Sequence, residues 1–310
     1  MKRLFKRRGA RQPGWMAVSM QPGTLDFAHG VCEPGKKGAI RAWGTRNLAD
    51  SPKDIERVAK ELGVDRYQCL TLLPPADYHL LLVDAPNVPA IELKRAVRWR
   101  IKDMLDYHVE DATVDVLDIP MEPSAGARGH SMYAVAARNE VIQAAIERFS
   151  AANVPLSVID IAETAQRNIA ALFEPANRAL GLLYLWPKQA LLTISFRGEL
   201  YLARRIDVGA DHLQASSAEA MNRVLLEVQR SLDHLERQFP FLSMAKLLLA
   251  PEPRSTGLIG HLSANLGVAV EPANLREVID FGEGTEPEGE AAWRMFHLLG
   301  AALRNEIKAL

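Results

Sequence analysis

The chain has 310 residues, 37 Lys+Arg against 38 Asp+Glu for a formal net charge of −1, and 48% hydrophobic residues. That length allows two domains or one large bilobal unit, and the balanced charge excludes a wholesale nucleic-acid binder, which carries a large basic excess. No apolar run reaches the roughly 18 residues of a membrane-spanning helix, and the basic start lacks the apolar stretch of a signal peptide, so the chain is expected in the cytoplasm.

The first 14 residues read as a basic flexible tail, with Lys2, Arg3, Lys6, Arg7, Arg8 and Arg11 around Leu4 and Phe5. Two readings stand: a weak foot on anionic lipid, at about 1 kcal/mol per basic residue near the surface, or a solvated terminus. Two apolar side chains are too few to anchor it alone. Trp15–Met20 and Thr24–His29 are predicted strands about a Pro22-Gly23 turn, and Ala39–Thr45 returns as a third. Ser51-Pro52 opens a helix with Ile55, Val58, Ala59 and Leu62 on one face, and Gly63 stops it.

Leu80–Val83 is an apolar strand core, and Pro89 suits the first turn of a helix carrying Leu93, Val97, Ile101, Met104 and Leu105. Thr113–Ile119 reads as a strand, Pro123–Gly129 as a loop, Met132–Ala137 as a strand and Asn139–Asn153 as a helix. Leu156–Asp160 and Ala162–Phe173 add a strand and a helix. Leu180–Leu185, Ala190–Phe196 and Leu200–Ile206 then repeat the opening three-strand meander. A long helix follows, with Met221, Val224, Leu225, Val228, Leu232, Leu235 and Phe239 on its apolar stripe and a capping box at Ser216–Glu219. Lys246–Ala250 and Gly267–Val270 are strands, Leu258–Leu266 is a helix, and Glu290–Leu310 is a closing helix edged by Trp293, Phe296, Leu299 and Leu303.

The recurring unit, a meander leading to a helix, implies two related α/β halves. The division is a tail over 1–14, a first lobe over 15–173 with a subdomain inserted at about 72–137, and a second lobe over 174–310. Cys32 and Cys69 are the only cysteines and are expected as free thiols of a reducing compartment. There is no G-x-S-x-G, P-loop, H-E-x-x-H or C-x-x-C, and no two of the eight histidines stand at i, i+4. No catalytic residue and no metal site is therefore assigned. His234, beside Asp233 on the long helix, suits a solvated surface better than a metal ligand.

The segment AIELKRAVRWRIKDMLDYHVED and the run SMYAVAARNEVIQAAIERFSAANVPLSVIDIAETAQRNIAAL resemble the PilM family of type IV pilus assembly proteins. The helix LLEVQRSLDHLERQFP is similar to the branch of that family serving mannose-sensitive haemagglutinin (MSHA) pili. The resemblance covers nearly the whole chain from Trp15. It implies an α/β fold of two actin-like (FtsA/PilM-type) lobes with a subdomain inserted in the first. It also implies a cytoplasmic scaffold, peripheral to the inner membrane, that docks the N-terminal cytoplasmic tail of a bitopic PilN/MshJ-like protein in a groove beside the inserted subdomain. The pilus motor ATPase is a further implied partner. The cytoplasmic part of a type II secretion protein is a rival with the same fold.

An actin-like ATPase holds phosphates on backbone N–H groups of two β-turns and its hydrated metal on their carboxylates. The matching turns here are degenerate. Val18–Gly23, with Ser19 and Gln21, has no carboxylate, and Pro22 has no N–H. Leu185–Gln189, with Lys188 and Gln189, lacks carboxylate and glycine and places the Trp186 indole where close approach is needed. Asp26 and Asp207 lie near but outside the turns, and the adenine turn reads Ala250-Pro251-Glu252-Pro253-Arg254. No cofactor and no ATP turnover are expected; a nucleotide-binding ATPase or switch is the rival.

By the same resemblance, Ile91–Asp106 and Thr113–Ile119 border the docking groove. Trp99, Met104, Leu105, Tyr107 and Val116 are its candidate lining, or else they pack the inserted subdomain. Trp99 lies off the main apolar stripe between Arg98 and Arg100.

Overall fold

The computed structural model describes residues 12–33, 36–49, 51–121, 130–215, 217–252, 254–282, 284 and 286–305. The predicted Pro123–Gly129 loop, the Ser216 end of the capping box and the basic residues Lys2, Arg3, Lys6, Arg7 and Arg8 lie outside the described residues.

Strands β1 (Trp15–Gln21), β2 (Thr24–Val31) and β3 (Gly38–Asn47) form the predicted antiparallel meander. Helix α1 (Pro52–Leu62) starts where the Ser51 hydroxyl accepts from Asp54 N–H, has Pro52 in its first turn, and ends at Gly63 in the left-handed region. It buries Ile55, Val58 and Ala59. Strand β4 (Gln68–Leu72) pairs parallel with β1. Sequence reasoning missed it, because Cys69–Leu73 is a short apolar run without alternation.

The inserted subdomain contains β5 (Tyr78–Asp84), α2 (Ala90–Arg100), β6 (Ala112–Asp118) and β7 (Ser131–Arg138), with its sheet in the order β5-β7-β6. α2 is shorter than the expected Ile91–Asp106. The chain leaves it at Ile101, makes a 3-10 turn over Lys102–Met104 and is extended at Leu105. Val97 and Ile101 are fully buried against the sheet. The turn then brings Leu105 and Tyr107 back onto the same core, which a continuing helix would not do. Met104 leaves the predicted stripe and stands 49% exposed.

Helix α3 (Asn139–Ala151) and strand β8 (Leu156–Asp160) return to the first sheet, and α4 (Ala162–Phe173) leaves it. The second half repeats the plan with β9 (Ala179–Leu185), β10 (Ala190–Phe196) and β11 (Glu199–Ile206). Next come a short α5 (Ala210–Ala215), the long α6 (Ser217–Gln238), β12 (Met244–Leu249), α7 (Leu258–Asn265) and β13 (Ala269–Pro272). A two-residue β14 (Ile279–Asp280) and α8 (Gly289–Ala302) close the described chain. The expected Glu290–Leu310 helix thus ends at Ala302, with residues 306–310 outside the described set.

The two large sheets share one topology. The first runs β14-β3-β2-β1-β4-β8 and the second β11-β10-β9-β12-β13, each a meander extended by two parallel strands. The helix that follows each sheet packs on the other lobe. α4 lies on β9, β10 and β11, while α8 crosses back onto β1, β2 and β4. β14 likewise pairs with β3, so the segment from Ile279 onward belongs physically with the first lobe. α4 and α8 meet closely, and a Cβ at Gly300 would sit 2.1 Å from the Ala165 carbonyl oxygen. Fully buried Phe296, Ile169, Leu180 and Leu182 fill this junction.

The inserted sheet is double-faced. Met132, Ala134 and Ala136 pack under α2. Tyr133 and Ile119 face the second lobe and join its core. The Tyr133 hydroxyl accepts from Ala203 N–H on β11 at 2.9 Å, tying the insertion to the far lobe.

Candidate functional site

Where the two lobes meet, α4 supplies polar side chains at three-residue steps, beginning with Asp160 just ahead of it. Asp160 accepts from Arg304 Nη1, from the Thr164 hydroxyl and from Ile161 N–H. Glu163 is fully buried and takes Arg205 Nε and Nη2 at 3.1 and 3.0 Å on one oxygen and the Tyr78 hydroxyl on the other. Gln166 donates to the carbonyls of Leu182 and Leu191 and to the Thr193 hydroxyl. Its Oε1 is left for His297 Nε2 at 3.1 Å, which fixes that nitrogen as the protonated one. Sequence reasoning missed this layer. Its trace was the spacing Asp160, Glu163, Gln166 on a helix otherwise rich in alanine.

The charges are those of a sealed boundary. Burial pushes the His297 ring down to about 3. Burial, then the nearby Glu163 charge, raise the Tyr78 hydroxyl well above its usual range. Burial works against the Arg205 cation, but Glu163 and Tyr78 more than offset it and its pKa is raised. Arg205 also lies 4.5 Å from the Tyr78 ring centroid and donates to the Pro75 carbonyl. One guanidinium therefore joins the second lobe, the connecting helix and the insertion.

Of the two phosphate-type turns, the one between β9 and β10 has its polar groups engaged. In the β9–β10 turn, Ala210 and Asp211 N–H at the start of α5 donate to the carbonyls of Trp186 and Pro187 at 2.8 and 2.9 Å. The turn packs so close to Gly209 that a Cβ there would meet Trp186 O at 2.3 Å and Gln189 N at 2.5 Å. Trp186 stacks on His297 with ring centroids 5.3 Å apart. Gln189 Nε2 donates to Asp207, and Asp26 accepts from the Thr45 hydroxyl with Arg294 3.5 Å away. Both nearby carboxylates are thus held by neighbours, and Lys188 is exposed. Among the described residues, no group of three His, Cys, Asp or Glu side chains is placed to hold a metal ion.

The predicted docking residues divide. Leu105, Tyr107 and Val116 pack partly buried on the insertion's own core, and the Tyr107 ring lies under the Arg138 guanidinium at 4.1 Å. Trp99 and Met104 stand 56% and 49% exposed. The structure does not bring these five together around a trough. A concave site of about 240 Å³ lies instead where the first sheet meets the insertion and α3. Leu73, Val141, Ala145 and Phe149 are among its apolar lining, with Ser19, Gln21 and Arg148 at its polar edge. Arg148 Nη1 donates to the Met20 carbonyl there at 3.1 Å. Ser19 and Gln21, picked out for phosphate, therefore border a pocket on the insertion side. The sequence signal for it was the small apolar edge Val141, Ala144, Ala145 on a helix with few other buried residues.

A larger cavity, about 650 Å³, opens elsewhere between the β2–β3 connection, α4 and the β10–β11 turn, with Lys37, Arg167, Arg197, Glu199 and Glu277 in its lining. No predicted site residue lies in it. No helix among the described residues is long and apolar enough to cross a membrane.

No family model matches the chain, and no curated protein matches it. Among solved structures it resembles a PilM-PilN type IV pilus biogenesis complex at 19% identity, with a TM-score of 0.65 over 94% of this chain and 96% of that one. Looser likenesses are the cytoplasmic domain of EpsL, an inner-membrane component of the type II secretion system of Vibrio cholerae, and an actin-like ATPase-fold protein of Bacteroides thetaiotaomicron. The first is at 14% identity, TM-score 0.47, over 93% of each chain; the second is at 9%, TM-score 0.48, over 86% and 92%. The duplicated topology and the first of these likenesses together define the architecture: this chain has the two-lobed actin-like α/β fold with a subdomain inserted in its first lobe.

Proposed function

We propose that this chain is a PilM-like scaffold of the inner-membrane platform of a type IV pilus, of the MSHA kind and MshI-like. In this reading it docks the N-terminal cytoplasmic tail of a PilN/MshJ-like membrane protein from the cytoplasmic side. One observation carries the reading: the likeness to the PilM-PilN complex runs through 94% of this chain and 96% of that one, insertion included. The resemblance of the LLEVQRSLDHLERQFP helix favours the MSHA branch.

The pocket of about 240 Å³ beside the insertion is the proposed seat for the tail. A peptide gains affinity by placing apolar side chains in a concave, water-excluding site, and the Leu73–Phe149 pocket has that shape, while Trp99 lines neither described cavity. Chemistry is not part of the proposal. The turn residues do not fit a magnesium triphosphate: both turns lack carboxylates and place a proline or a bulky indole where bare amides are needed.

Calorimetric titration with a synthetic peptide of the partner's N-terminal cytoplasmic segment tests this. Binding in the micromolar range is expected, as for a short peptide in a single pocket. Absence of heat at millimolar peptide, with the protein folded, overturns the docking role.

A further inference from the structure

We propose that the outer ridge of α2 is a contact surface for anionic lipid bilayer. The stripe Leu93, Val97, Ile101 faces the inserted sheet, with Val97 and Ile101 fully buried. Ile91, Arg95 and Trp99 follow at i, i+4 and i+8, which puts them on the opposite side of the helix. Ile91 is 93% and Trp99 56% exposed, and Met104 just beyond the helix is 49% exposed. All three lie on α2 or in the turn just beyond it.

Their surroundings carry an excess of positive charge, with Glu92 and Asp103 as the exposed acidic neighbours on α2 and the turn after it. Arg95, Arg100 and Lys102 are exposed and form no ion pair with another described residue, while Lys94 is paired with Asp115 and Arg98 is turned inward onto the Ala112 carbonyl. An aliphatic and an aromatic side chain among cations that outnumber the acidic neighbours is a pattern that settles into an anionic headgroup layer. The apolar tips pass the interface while the cations remain among phosphates. An indole suits that boundary because its ring is apolar and its N–H is polar. This contact is independent of the pocket on the α3 side, so it stands or falls apart from tail docking.

The test uses the full chain with vesicles of phosphatidylglycerol mixed with phosphatidylcholine, against phosphatidylcholine alone. Wild-type protein is expected to sediment with the anionic vesicles. The Arg95→Glu/Arg100→Glu variant, retaining the whole basic N-terminus, is expected to bind about tenfold more weakly. Lipids brominated in the upper acyl chain are expected to quench indole fluorescence in wild type and to lose that quenching in Trp99→Phe, since Trp15 is buried and Trp43, Trp186 and Trp293 are partly so. Equal sedimentation of the charge-reversed variant, or quenching unchanged by Trp99→Phe, overturns the proposal. So does loss of tail-peptide binding in Trp99→Ala with vesicle binding intact, which would give the ridge to a protein.

Discussion

Arg205 on β11 grips Glu163 on α4 across the lobe boundary, its Nε and Nη2 at 3.1 and 3.0 Å from the same carboxylate oxygen. The Glu163 side chain is 1% exposed and that of Arg205 26%, so the pair is shielded from most solvent screening. Removing one partner strands the other. Arg205→Met is expected to cost about 3–5 kcal/mol, because the carboxylate stays buried without its cation. The double variant Glu163→Met/Arg205→Met should recover most of that, since two apolar groups of similar size leave no buried charge. Urea unfolding of the three proteins checks it. A single variant costing under about 1 kcal/mol would mean water reaches the carboxylate.

His297 predicts how stability responds to acid. Its pKa is lowered from 6.5 to about 3 by burial. The unfolded chain therefore accepts a proton that the folded chain refuses, so unfolding gains as pH falls below 6.5. The loss grows until the folded value near 3 is reached. By pH 5 it should amount to about 2 kcal/mol from this one residue. His297→Gln keeps a donor for Gln166 Oε1 and cannot titrate. Its stability should change by about that much less between pH 7 and pH 5, a difference visible in parallel denaturant curves.

Nucleotide affinity is expected to be millimolar or weaker. Ala210 and Asp211 N–H, which a phosphate would compete for, already donate to Trp186 O and Pro187 O. Asp26 and Asp207 are engaged by Thr45 and Gln189. Binding a triphosphate would require breaking these contacts and separating the Arg205–Glu163 pair or working around it. Titration with Mg-ATP measures this directly; micromolar affinity would favour the switch reading over the scaffold.

How much of this was legible in the sequence follows from where the information is local. The two meanders and α1 were readable because turns at Pro22-Gly23 and Arg197-Gly198, the Ser51 cap and the Gly63 stop act within a few residues. β4 was hidden because a short central strand with the buried run Cys69–Thr71 carries no period. The end of α2 was misplaced because Met104 and Leu105 continue the apolar spacing, while the chain turns at Ile101 once that side chain has closed the contact with the sheet. The crossing of α8 onto the first sheet depends on Gly300 meeting Ala165, a contact 135 residues apart in sequence. The pocket at α3 shares this character: Ser19, Leu73 and Ala145 come from three segments whose meeting no single stretch announces.

That pocket gives the most direct separation of the two faces of the insertion. Ala145 lies on α3 at its wall, half-buried, with Phe149 one turn on and buried beneath. Ala145→Trp would fill much of a cavity of about 240 Å³ from its edge, where the indole has open space rather than packed core to enter. Stability should therefore shift by under about 1 kcal/mol, as for a surface substitution. Capture of the partner's tail peptide should weaken at least tenfold, because the apolar anchor loses its seat. Leu105→Ala is the contrasting change: it trims the insertion's core beneath α2, so it should cost about 1–3 kcal/mol of stability and leave peptide affinity within twofold. Calorimetry paired with thermal melts reads both quantities. If Leu105→Ala weakened the peptide while Ala145→Trp did not, the seat would lie on the α2 side of the insertion.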